Sequence, residues 1–81
     1  MSTSQKFRYV NGSGAELRIT LEPWADQYLI RSGQQIEILV SSGDAVGTVE
    51  LEQHLTGLVI YGYAGCTISL VSDGAELKPC T

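Results

Sequence analysis

The sequence predicts an all-β fold, an antiparallel β-sandwich of about seven short strands, with a small β-barrel as the alternative. Three observations carry this expectation. Glycine punctuation recurs at intervals of roughly ten residues, the spacing at which sandwich and barrel strands turn. Between the glycines, apolar and polar side chains alternate, the period of a strand with one buried and one wet face. The one weak helical alternative, residues 50–56, follows the β-branched Thr48 and Val49, which favour a strand.

Residues 7–10 form the first run. Asn11-Gly12-Ser13-Gly14 then reads as a hairpin turn, because these residues tolerate positive φ. Residues 16–22 alternate cleanly, with Leu17, Ile19 and Leu21 on one face and Glu16, Arg18, Thr20 and Glu22 on the other. Pro23 cannot donate to a ladder, so Glu22-Pro23-Trp24-Ala25-Asp26 is expected as a corner. A short strand at 28–30 closes at Arg31-Ser32-Gly33-Gln34. Residues 35–40 place Ile36, Ile38 and Val40 together. After the loop Ser41-Ser42-Gly43-Asp44, residues 48–53 put Val49 and Leu51 inward, and Glu50 and Glu52 outward. Residues 58–63 are apolar on both faces, with Leu58 and Ile60 on one and Val59, Tyr61 and Tyr63 on the other. Ala64-Gly65 turns the chain into a last strand at 66–71, ended by Asp73-Gly74. The short connections favour hairpins and antiparallel pairing throughout.

At 81 residues the chain makes one domain with one thin core, and a disulfide, a metal or a self-association surface would help stabilise it. Residues 1–5 read as a flexible N-terminal segment, 6–77 as the β domain and 78–81 as a C-terminal tail. The net charge is −4, spread unevenly: residues 1–31 carry a net +1 and residues 32–81 a net −5. An acidic body repels phosphate, which argues against nucleic acid or an anionic membrane as partner. No apolar run approaches the length of a membrane helix, and the polar start has no leader-like apolar core, so the cytoplasm is the expected compartment. On that footing the sequon Asn11-Gly12-Ser13 has no glycosylation route. Cys66 is expected as a small core residue and Cys80 as an exposed thiol.

The corner Leu21-Glu22-Pro23-Trp24, followed by Tyr28, Gly33 and Glu37, resembles a pattern in small uncharacterised bacterial all-β proteins. There an acidic-Pro-Trp corner, a tyrosine and a glycine turn lead into an apolar strand. The resemblance covers roughly residues 9–40. It implies the same all-β fold and brings no activity and no functional residues with it.

Catalytic and metal chemistry find little purchase. His54, the one histidine, offers a single Cys–His pair with Cys66, and no nucleophile elbow is present. His54, Cys66 and Cys80 lack the paired spacing of a zinc site, and a blue-copper site needs a second histidine. No enzyme activity and no cofactor are therefore expected. The aromatic residues are the better signal. Val59, Tyr61 and Tyr63, on one apolar strand face, form the candidate interface of a self-associating interaction module. Trp24 and Tyr28 flank the corner and form a candidate small-ligand or carbohydrate platform, set against the plainer role of capping the core. Asp44, Glu50 and Glu52 form a candidate acidic face for a basic partner, in the manner of an inhibitor or immunity-type protein.

Overall fold

A computed structural model describes residues 3–80. The strands are β1 (Thr3–Val10), β2 (Leu17–Glu22), β3 (Asp26–Ile30), β4 (Gln35–Ser42), β5 (Glu50–Gln53), β6 (Gly57–Tyr61), β7 (Cys66–Ser72) and β8 (Ala75–Glu76), and no helix occurs among the described residues. They form two packed four-stranded sheets, ordered β1-β4-β7-β8 and β3-β2-β6-β5. The arrangement is an open sandwich rather than a closed barrel, with one short strand more than the spacing predicts.

Alternation places the core as expected. Leu17, Ile19 and Leu21 of β2 and Leu58 and Ile60 of β6 from one sheet share one buried core with Ile36, Ile38 and Val40 of β4 and Leu70 of β7 from the other. Cys66 is buried among them as a free thiol, and Cys80 is exposed. No helix among the described residues is long and apolar enough to cross a membrane. β1 begins at Thr3, paired with Ser42, so residues 3–5 belong to the first sheet rather than to a separate segment. Residues 1, 2 and 81 lie outside the described residues.

Four local expectations need correction. The segment 11–14 does not turn a hairpin, because β1 pairs with β4 along its whole length and never with β2. It carries the chain from the first sheet to the second. Asn11 is fully buried there and donates from Nδ2 to the carbonyls of Ala15, Ile30 and Arg31. The supposed corner at Pro23 is the true hairpin: β2 and β3 pair up to Leu21 and Asp26, across a cis Glu22-Pro23 bond and Ala25 at φ 63°. Pairing is not wholly antiparallel, since β2 and β6 run parallel, Ile19 beside Leu58. Finally, β6 ends at Tyr61, and Gly62 breaks the alternation that was to place Tyr63 beside it.

Candidate interaction surface

Opposite residues of an antiparallel pair share a face. Phe7 stands opposite Ile38 and Tyr9 opposite Ile36, so both point into the sandwich, while Lys6 and Arg8 point out. On the second sheet Leu51 stands opposite Ile60 and points in, while Glu50 and Glu52, opposite Tyr61 and Val59, point out. β1 and β5 are both edge strands, and they lie on the same side of the molecule. Among the described residues no further strand covers their inward side chains. Phe7 is therefore 49% exposed and Leu51 59% exposed, although both face the core side. Together with Tyr9, Ile38, Val49 and Ile60 they line an apolar groove of about 350 Å³ between the two sheets.

The groove has charged banks of opposite sign. Lys6-Phe7-Arg8 on β1 and Glu50-Leu51-Glu52 on β5 are matched triplets, an apolar residue flanked by like charges. Lys6 already reaches Glu37 on β4 at 3.6 Å. The triplets were legible in the sequence, but neither Phe7 nor Leu51 stands out there as exposed. Charges flanking an apolar residue mark an edge strand that must avoid wrong pairing. That signal could have found them.

The other candidate residues divide differently from their spacing. Val59 and Tyr61 do share the outer face of the second sheet, both half-buried, and they share it with Glu50 and Glu52. The Tyr61 hydroxyl donates to Glu52 Oε1 at 2.6 Å, and His54 Nε2 lies 3.5 Å from the same oxygen. The hydrogen bond from Tyr61, helped by His54, holds the Glu52 carboxyl below its ordinary pKa, and the same bond pushes the Tyr61 phenol up. Tyr63 leaves this face. It packs against the core, its ring over Gly47 and its hydroxyl 3.2 Å from Ser42 Oγ. Three residues expected on one surface are thus split between two.

Trp24 and Tyr28 likewise do not form one platform. Tyr28 is 6% exposed in the core, and burial, with Asp26 and Glu76 nearby, raises its phenol pKa. Trp24 stays 39% exposed at the hairpin, its ring lying so close over Gly62 that a Cβ there would sit 2.7 Å from it. Asp44 lies in the exposed loop before β5, apart from the Glu50/Glu52 face. His54 and Cys66 sit beyond opposite ends of β6, separated by a strand length of about 16 Å. Among the described residues no three His, Cys, Asp or Glu side chains gather where a metal ion could be held.

No family model, curated protein or solved structure matches the chain, so its function must be argued from this geometry.

Proposed function

We propose that the chain is a non-catalytic, cytoplasmic protein-interaction module that self-associates, and that its contact surface is the open β1/β5 edge. The observation that carries the reading is the pair of matched triplets on the two banks of one apolar groove. A second copy, turned about a two-fold axis along the strands, sets its second sheet beside the first sheet of its neighbour. Phe7 and Leu51 of both copies then share one apolar seam. Lys6 and Arg8 of each copy face Glu50 and Glu52 of the other, twice by symmetry. The alternative two-fold packing, β1 against β1, opposes Lys6 and Arg8 to themselves and is disfavoured by like-charge repulsion.

The expected strength follows from size. An eight-residue strand is about 26 Å long, and an edge strip roughly 20 Å wide gives a total burial near 1,000 Å², the small end of specific interfaces. A weak, reversible dimer is the expected state. Sedimentation equilibrium over a wide concentration range tests it: the wild type should show a monomer–dimer equilibrium and Leu51→Glu should remain monomeric. A wild-type protein that is monomeric at high micromolar concentration would overturn the reading.

A further inference from the structure

We propose that Asn11-Gly12 is a latent deamidation site that the fold keeps shut and unfolding opens, making prolonged unfolding irreversible. Asn11 is the only asparagine in the chain, and glycine follows it. That pairing favours intramolecular attack, because a glycine peptide nitrogen is the least hindered nucleophile a chain offers. The reaction needs the Gly12 nitrogen, stripped of its proton, to bond to Asn11 Cγ. The Cγ–Nδ2 bond then breaks, and Nδ2 leaves as ammonia carrying a proton. Water opens the resulting succinimide at either carbonyl, to aspartate or isoaspartate.

The folded chain blocks each part of this. Asn11 is 0% exposed, so no water reaches the leaving nitrogen. Nδ2 is held by three carbonyls, those of Ala15 at 2.8 Å and of Ile30 and Arg31 at 3.0 Å each. Oδ1 accepts from the Ser13 amide at 3.1 Å and the Ser13 hydroxyl at 2.7 Å, which fixes the side chain toward Ser13. The backbone is pinned as well: the Asn11 amide donates to the Gln34 carbonyl and the Asn11 carbonyl accepts from the Gly33 amide. The carboxamide therefore cannot rotate to present Cγ to the next nitrogen.

The product does not fit the space it leaves. In a carboxylate at position 11, Oδ1 would keep its Ser13 donors, but the oxygen in place of Nδ2 would bring negative charge against three carbonyl oxygens in a site closed to water. A buried charged oxygen that faces only acceptors is strongly disfavoured. Isoaspartate would in addition lengthen the backbone between the pinned Asn11 amide and Gly12. Each deamidated molecule is thus removed from the refolding pool. Damage is converted into permanent loss of the fold, a route by which aged chains are marked by their own unfolding.

The test follows intact mass at neutral to mildly alkaline pH, with the protein folded in buffer and unfolded in urea. The unfolded protein should gain about one mass unit at residue 11, and the folded protein should do so slower by on the order of a thousandfold, the ratio set by the open population. Gly12→Ala is the control that keeps the fold, since a Cβ there meets nothing within 4 Å and the residue is not in the left-handed region. It should slow deamidation in urea and restore full refolding after long unfolding. Asn11→Asp should fold poorly or melt far below the wild type. Equal rates in buffer and urea, or an Asn11→Asp protein as stable as the wild type, would overturn the proposal.

Discussion

The two sides of this sandwich that carry its edge strands end differently. On the side of β3 and β8 the C-terminal segment crosses from sheet to sheet. Leu77 donates its amide to the Leu70 carbonyl at 2.8 Å and packs on the core, and the Cys80 amide reaches the Gln27 carbonyl of β3 at 2.7 Å. On the side of β1 and β5, the loop 43–49 carries the chain from one sheet to the other and sets Val49 in the groove, yet Phe7 and Leu51 stay half open to water. One edge is closed by the chain itself; the other, with its matched charges, is the one we propose a second copy closes.

That comparison breaks most visibly at Leu51. Leu51→Glu or Phe7→Glu places a charge in the apolar seam and should weaken self-association by on the order of a hundredfold, read by sedimentation. The folded monomer should survive either change, at a cost on the order of 1 kcal/mol for the half-buried apolar side chain that is lost. At the closed edge the pattern should invert. Leu77→Ala should lower stability by about 1–2 kcal/mol and the melting temperature by roughly 5–10 °C in a calorimetric scan, with association unchanged. A Leu77→Ala protein that melts normally but fails to dimerise would exchange the roles of the two edges.

A smaller effect should come from the banks. Glu50→Lys with Glu52→Lys should weaken association about tenfold, and mixing that variant with Lys6→Glu/Arg8→Glu should restore it as a heterodimer. Raising the salt should weaken the wild-type dimer, because exposed pairs are screened beyond about 8–10 Å. A charge-reversed pair that fails to recover when mixed would leave the triplets as mere protection of bare edges.

The least effect is expected on the outer face. The lowered Glu52 pKa contributes stability above its ordinary 4.5, and that contribution is lost as pH falls through the depressed folded value. The raised Tyr61 pKa contributes below its ordinary 10.0 and is lost as pH rises through the folded value. Tyr61→Phe should therefore cost slightly and evenly between about pH 5 and 9, and nothing at the extremes, in denaturant titrations. The bond between the Tyr61 hydroxyl and Glu52 lies at the exposed surface, so the effect should be small. A cost that persists unchanged into strong acid would show that the hydroxyl bond to Glu52 is not its source.

Much of the sandwich was legible because alternation is local: Leu17, Ile19, Leu21, Ile36, Ile38 and Val40 declare an inward face without knowledge of any partner. What depends on partners was not. Leu51 was rightly given an inward direction, yet an edge position leaves it exposed, and edge rank is a property of the whole sheet. The parallel β2–β6 pairing joins residues some forty positions apart, beyond the reach of turn chemistry. Asn11 carries the residue signature of a turn, and its side chain instead bonds across the molecule to Ile30 and Arg31. Gly62 was expected to continue a strand, and its close approach to Trp24 ends that strand and sends Tyr63 to the core.

Sedimentation equilibrium of the wild type beside Leu51→Glu tests the open-edge account most directly. A concentration-dependent monomer–dimer equilibrium is expected for the wild type, and a folded monomer at every concentration for Leu51→Glu. Dimerisation of both proteins with equal affinity, or of neither at high micromolar concentration, would contradict it.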